Sequence, residues 1–246
     1  MNRKVAIVTG GISGIGDAIS TKLLEEGATV IALDINKEAC QAWVTSKKKS
    51  GFNNVDAFVC DVTKYEESSA IVALVLEKYK KIDILVNNAG ITQDSTLKKM
   101  TLTQWNSVIN VNLNSLFNVT KHVADQMVTN GFGRIINISS VNGQKGQFGQ
   151  TNYSATKAGV HGFTKALAQE VARKNVTVNT VSPGYINTKM MQDIPEEVLH
   201  KIVGQVPCGR LGEPEEIADL VAYLASDRAA YITGSDVSIN GGLYMR

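Results

Sequence analysis

Tyr153 and Lys157 stand one helical turn apart, thirteen residues after Ser140, in the text Asn152-Tyr153-Ser154-Ala155-Thr156-Lys157. Side chains four apart on a helix share a face, so this spacing predicts an ammonium held beside a phenol. A fixed cation favours the phenolate and lowers a pKa that is about 10 in the free side chain. A phenol tuned in this way can exchange a proton with a carbonyl or an alkoxide near neutral pH. The pair alone is a common pattern, and a purely structural pair is the competing reading. Its chemical reading depends on a second site in the chain that would bring a reactant to it.

Such a site is predicted near the N-terminus. Thr9-Gly10-Gly11-Ile12-Ser13-Gly14-Ile15-Gly16 joins an apolar, β-branched run to an amphipathic segment. Glycines there allow a tight turn and a close approach of backbone to a pyrophosphate, and the following helix N-terminus offers oriented N–H groups. Asp34 ends the second apolar run, where a carboxylate can accept from adenosine ribose hydroxyls and would repel a 2′-phosphate; the alternative is a turn aspartate capping the next helix. Asp61-Val62 follows the third run and can face an adenine amino group. Asn87-Asn88-Ala89-Gly90 follows the fourth and would form the next wall. Each is weak singly, because Asx and Gly also end strands for local reasons; together they fall on one edge.

The elements that must position these groups alternate regularly. Strands are predicted at 5–8, 29–33, 55–60, 82–86, 134–138, 176–181 and 236–239. Helices are predicted at 15–26, up to about 50, and at 65–79, 103–129, 152–173 and 214–226. This alternation implies a single α/β domain over 1–246, a parallel sheet flanked by helices on both faces. About 184–212 breaks the alternation after Ser182-Pro183-Gly184, at the strand edge where open α/β sheets bind ligands. It is read as a substrate lid, with an ordinary surface helix pair as the alternative.

Composition narrows the partners. Twenty-five basic against 23 acidic residues leave a net charge of +2, which argues against a nucleic-acid binder. Lys47-Lys48-Lys49 reads as a solvated helix end. Cys40, Cys60 and Cys208 fit no zinc spacing and no disulfide framework, so no metal site is expected and a cytoplasmic, reducing location is favoured. No apolar stretch approaches the roughly 18 residues of a membrane span. His122, His161 and His200 are scattered and no Gly-x-Ser-x-Gly elbow occurs, so a metal or triad hydrolase is disfavoured.

Taken in order, Thr9-Gly10-x3-Gly14-Ile15-Gly16, Asp61-Val62, Asn87-Asn88-Ala89-Gly90, Asn112, Ser140, Tyr153-x3-Lys157 and Pro183-Gly184 resemble the short-chain dehydrogenase/reductase family over essentially the whole chain. The resemblance implies a seven-stranded Rossmann fold, NAD(P)H and a homotetramer. It places a catalytic tetrad on Asn112, Ser140, Tyr153 and Lys157. Ser140 would hold the substrate carbonyl, Tyr153 would give the proton, Lys157 would bind the nicotinamide ribose, and Asn112 would hold a water linking Lys157 to solvent. Cofactor contacts would come from Gly10, Ser13, Gly14, Ile15, Gly16, Asp34, Asp61, Val62, Asn88, Ala89, Gly90, Tyr153, Lys157, Pro183 and Gly184.

Within the family, the stretch from Asn137 to Ser154, with Phe117-Asn118-Val119-Thr120-Lys121 and Asn240-Gly241-Gly242-Leu243, is most similar to acetoacetyl-CoA reductases of polyhydroxybutyrate synthesis. That implies reduction of acetoacetyl-CoA to (R)-3-hydroxybutyryl-CoA, with Asp94, Lys99, Ser140, Gln147, Phe148, Gln150 and Tyr185 lining the acyl-CoA site. The alternative is 3-oxoacyl-[acyl-carrier-protein] reductase of fatty-acid synthesis; a remote one is a non-catalytic nucleotide sensor on the same fold. One departure bears on the cofactor. Acetoacetyl-CoA reductases resemble NADPH users with a basic residue after the second strand, whereas this chain reads Leu33-Asp34-Ile35-Asn36-Lys37, with Ser13 where many NADPH users carry arginine. Asp34 favours NADH; NADPH stays open, with Lys37 as a partial compensation.

Overall fold

The computed structural model describes residues 1–192 and 195–245. Among them, seven strands form one parallel sheet: β1 (Val5–Thr9), β2 (Thr29–Asp34), β3 (Val55–Val59), β4 (Ile84–Asn87), β5 (Gly133–Ile138), β6 (Val176–Pro183) and β7 (Asp236–Ile239). Their spatial order is β3-β2-β1-β4-β5-β6-β7. Val8 of β1 pairs with Ala32 of β2 on one side and with Val86 of β4 on the other. The chain therefore reverses direction across the sheet between β1 and β4, and ligands bind outside the strand carboxyl ends at such a point.

Helices α1 (Gly14–Glu25), α2 (Lys37–Lys49), α3 (Tyr65–Tyr79), α4 (Leu102–Ile109), α5 (Ser115–Asn130), α6 (Val141–Lys145), α7 (Thr151–Val171), α8 (Lys189–Gln192), α9 (Glu196–Val203) and α10 (Pro214–Ala225) surround it. The strand period of two divides the core. Ala6 and Val8 pack with Ile19 and Leu23 of α1 and Ile217 and Val221 of α10. Val5 and Ile7 turn to the other face and pack with Val72 and Val75 of α3 and Val119, Val123 and Met127 of α5. Both faces are covered, which is why β1 reads as an unbroken apolar run. Each fully buried aliphatic side chain is worth about 1.5–3 kcal/mol.

A polar seam crosses this core below the strand ends. Asn87 Nδ2 donates to Thr120 Oγ1 at 3.0 Å and to Asn137 Oδ1 at 2.8 Å. Asn137 Nδ2 donates to Thr164 Oγ1 at 2.9 Å, which also accepts from Thr180 Oγ1 at 2.8 Å. Buried polar groups persist in a core when partnered in this way. The seam ties β4, β5 and β6 to α7, the helix that carries Tyr153 and Lys157.

One predicted element is divided and one unpredicted element is present. The helix expected at 103–129 is interrupted by a π-helical turn at Asn110–Asn114, which separates α4 from α5. Its sequence, Asn-Val-Asn-Leu-Asn, has poor helix propensity, and the turn carries the buried Asn112 toward the loop after β4. Helix α6 falls where no element was predicted. It is five residues long, is capped by Ser140, and packs so closely on α7 that a Cβ at Gly143 would sit 2.7 Å from the Lys157 carbonyl carbon. In the 184–212 segment, α9 carries Val198, Leu199, Ile202 and Val203 at helical spacing, yet none of its residues is buried. Among the described residues no helix is long and apolar enough to cross a membrane.

Candidate active site

The ends of β1, β2, β3, β4, β5 and β6 enclose a cavity of about 770 Å³. One end is made largely of backbone. Gly10 takes φ +60° and Gly14 φ +50°, and a Cβ at Gly16 would overlap the Gly10 carbonyl oxygen. Ser13 is the N-cap of α1 but makes no side-chain hydrogen bond to the helix. The first-turn N–H groups, which have no intrahelical acceptor, are left for an anion. Gly10, Ser13, Gly14, Ile15 and Gly16 all line the cavity. This cradle fits a dinucleotide pyrophosphate.

The neighbouring walls are held locally. Asp34 lines the cavity and accepts from the Asn36 N–H at 3.1 Å. Helix α2 has its own cap, Asn36, which accepts from the Ala39 N–H at 2.9 Å, so the capping alternative for Asp34 falls. Asp61, with Val62 beside it on the wall, accepts from Thr63 N–H at 3.0 Å and Thr63 Oγ1 at 2.7 Å. Asn88 Nδ2 donates to the Thr9 and Gly10 carbonyls at 3.0 and 3.1 Å. Thr9 Oγ1 in return accepts from the N–H groups of Asn88 and Ala89, each at 3.0 Å. Thr9 is a site-building residue that sequence reasoning quoted without assigning a role; its signal was its place at the last position of β1. Ala89, Gly90, Pro183 and Gly184 complete this side of the cavity.

Tyr153, Lys157 and Ser140 line the same cavity. Lys157 is 4% exposed, and its Nζ donates to the Ile138 carbonyl at 2.8 Å. Burial pulls the Lys157 ammonium down to about 8. The Nζ lies 5.7 Å from the Tyr153 ring centroid. Burial pushes the Tyr153 phenol up, with the Ser140 hydroxyl opposing that shift and the Asp94 carboxylate adding to it. This differs from the expected acidification of the phenol by the ammonium. Both groups are removed from water, and desolvation favours their neutral forms. The arrangement holds a protonated phenol at the cavity wall, the form that donates.

Asn112 is fully buried beneath that wall. Its Oδ1 accepts from the Ile91 N–H at 2.8 Å and its Nδ2 donates to the Ile91 carbonyl at 2.9 Å. Its amide thus clamps the loop that follows β4. Gly90 lies between Asn112 and Lys157: a Cβ there would be 3.4 Å from Asn112 Oδ1 and 3.5 Å from Lys157 Nζ.

The substrate residues divide. Ser140, Gln150 and Tyr185 line the cavity; Asp94, Lys99, Gln147 and Phe148 do not. Asp94 is joined to the site through Gln150, whose Nε2 donates to Asp94 Oδ2 at 2.8 Å. Gln147 accepts from Lys145 Nζ at 2.9 Å on the surface. Lys99 is exposed in a turn, and Phe148 is 88% exposed. Asn142, Thr188 and Met191 line the cavity without having been anticipated. Asn142 belongs to the unpredicted α6, and the other two lie in a stretch with no periodic signal.

Residues 10–244 match the family model described as Enoyl-(Acyl carrier protein) reductase. The chain belongs to the short-chain dehydrogenase/reductase family and is an oxidoreductase. It is 52% identical to the acetoacetyl-CoA reductase of Allochromatium vinosum, covering 98% of this chain and 99% of the relative. It is also 52% identical to the acetoacetyl-CoA reductase of Cupriavidus necator, covering 100% of both. Identity to the 3-oxoacyl-[acyl-carrier-protein] reductase FabG of Thermotoga maritima is 46%, over 98% of this chain and 97% of the relative. Reductases of this family use NAD(P)H.

Proposed function

We propose that this chain reduces 3-oxoacyl thioesters, acetoacetyl-CoA to (R)-3-hydroxybutyryl-CoA being the best-supported reaction. The observation that carries the reading is the meeting of Tyr153, Lys157 and Ser140 with the glycine cradle of α1 in one cavity. The relatives named acetoacetyl-CoA reductase, at 52% identity over nearly the whole chain, support the substrate. The carrier-protein thioester is the second reading, supported by the Thermotoga maritima relative.

Bound NAD(P)H supplies the hydride. The backbone of Gly14, Ile15 and Gly16 holds the pyrophosphate, and Asp34 accepts from the adenosine ribose hydroxyls. Asp34 sets a preference for NADH, because a 2′-phosphate would meet its carboxylate. Lys157 Nζ binds the nicotinamide ribose and keeps positive charge beside the phenol. Ser140 Oγ donates to the ketone oxygen and orients it. Tyr153 Oη delivers its proton to that oxygen as charge develops there, and burial, which holds the phenol protonated, suits it to that step. Asn112 fixes the Ile91 loop against Gly90 and so shapes the approach to Lys157.

The reading extends to a homotetramer in the cytoplasm, with the 184–212 segment as a lid over the thioester. Its test is oxidation of NADH and NADPH with acetoacetyl-CoA and with an acetoacetyl carrier protein. Turnover with either thioester is expected, faster with the CoA form. No oxidation with any of the four pairs would refute the function.

A further inference from the structure

A hydrogen-bonded chain beside the cavity has a direction. Asp94 Oδ2 accepts from Gln150 Nε2 at 2.8 Å, and Gln150 Oε1 accepts from Asn142 Nδ2 at 3.0 Å. A carboxylate has no proton to give, so Asp94 fixes which way the Gln150 amide points. Gln150 then fixes Asn142 in turn; such amide orientations follow from the network. The chain ends on Asn142 Oδ1, a buried acceptor with no hydrogen-bond partner among the described residues. Asn142 is 7% exposed and lines the cavity. Its backbone N–H donates to Ser140 Oγ at 3.1 Å, so its main chain adjoins the hydroxyl assigned to the ketone.

An acceptor of fixed polarity calls for a donor on the ligand, because leaving a buried acceptor unpaired is unfavourable. The reacting end of a 3-oxoacyl thioester has none: its two carbonyl oxygens and its sulfur only accept. The first donor along a pantetheine arm is the amide N–H two methylenes beyond the sulfur, common to CoA and carrier-protein thioesters. We propose that Asn142 is a substrate-recognition residue whose Oδ1 accepts a hydrogen bond from this amide N–H, with Asp94 acting through Gln150 to hold it as an acceptor. The proposal rests on the thioester-reductase reading.

The test compares two substrates, acetoacetyl-N-acetylcysteamine, which carries that N–H, and S-pentyl acetothioacetate, which lacks it. The readout is the ratio of their kcat/KM values. In Asn142→Leu the ratio is expected to fall about tenfold, the effect of losing one hydrogen bond to a buried group. Asp94→Asn, which lets the Gln150 amide turn either way, is expected to lower the ratio by about threefold, on the same scale. A purely structural role for Asn142 would lower both kcat/KM values together, and an unchanged ratio in Asn142→Leu overturns the proposal. If Asn142→Leu does not fold, an unchanged ratio in Asp94→Asn overturns it. Failure of the wild-type enzyme to reduce acetoacetyl-CoA and the acetoacetyl carrier protein would sink the functional reading and this proposal with it; turnover of both analogues with an unmoved ratio sinks the proposal alone.

Discussion

The two ends of the cavity are built from different materials. At the dinucleotide end the wall is backbone shaped by Gly10, Gly14 and Gly16, with Asp61 tied to Thr63 in its own turn and Asn88 tied to the carbonyls of Thr9 and Gly10 on the neighbouring strand end. At the substrate end the wall is side chain, drawn from α6, the start of α7 and the 184–212 segment, and Phe148 and Gln147 stand outside it. A backbone-made site depends on a few local conformations that glycine and Asx residues announce. A side-chain-made site depends on how separate segments pack, and it can alter when they move. Between the two ends stand Lys157, buried, and Tyr153, half-buried at the cavity wall.

The largest effect expected falls on that junction. Tyr153→Phe should leave cofactor binding intact, since the dinucleotide cradle does not need the hydroxyl, and cut kcat by about 10² to 10⁴, as loss of a general acid does. Cofactor titration by fluorescence and single-turnover kinetics would separate the two quantities. Near-normal turnover would mean that the proton comes from elsewhere and that the junction is not where the two ends meet chemically.

Lys157 sharpens the contrast between function and stability. Its folded value of about 8 lies below its ordinary value of 10.5. Between those values the unfolded chain holds more protons than the folded one, so this group makes stability rise with pH across that window. Below about pH 8 the cost of a charged, buried ammonium is present in full, on the order of 3 kcal/mol. Lys157→Met should therefore lose nearly all activity yet unfold at higher urea than the wild type at pH 7. The gap between the two should shrink as pH rises from 8 toward 10. A gap that does not change with pH would show that the ammonium is not strained by burial. In the wild type, KM for the reduced cofactor should climb above about pH 8 as the ammonium loses its charge.

Asp34 tests whether the dinucleotide end discriminates through a side chain at all. NADH should exceed NADPH by about tenfold in kcat/KM, the scale of one repulsive contact. Asp34→Ser should bring the two cofactors within about threefold, on the same scale. An NADPH advantage in the wild type would assign the selectivity to Lys37 and relegate Asp34 to the turn it makes with Asn36.

The same contrast explains what the sequence disclosed. The inner strands were legible because β-branched runs such as Val5-Ala6-Ile7-Val8 are buried on both faces, and α3 was legible from its periodicity. The glycine cradle and Tyr153-x3-Lys157 were legible because each is a local pattern with a local consequence. The π-helical turn at Asn110–Asn114 was not, since poor local propensity does not specify it and the bonds Asn112 makes from it to Ile91 join distant segments. Helix α6 is too short to show a period. Its existence depends on the Ser140 cap and on close packing against α7. The direction of the Tyr153 shift was not legible, because spacing reveals the neighbouring ammonium but not burial, the largest cause that raises the phenol.

The smallest expected effect bears directly on the substrate end. Phe148 is 88% exposed, and the family resemblance puts it against the acyl-CoA. If the cavity as built is the one that binds substrate, Phe148→Ala should change kcat/KM for acetoacetyl-CoA by less than about threefold, because the ring touches little that the substrate would touch. If the segment carrying it folds onto the pantetheine arm instead, burying the ring would contribute about 1.5–3 kcal/mol, and its loss would lower kcat/KM by roughly ten- to a hundredfold. The two outcomes are well separated, and steady-state kinetics over a range of acetoacetyl-CoA concentrations distinguishes them. A large loss carried by KM, with kcat unchanged, would mean that the substrate wall assembles only around its ligand. The dinucleotide wall needs no such step, because its turns are already tied to one another by the bonds between Asn88, Ala89, Thr9 and Gly10.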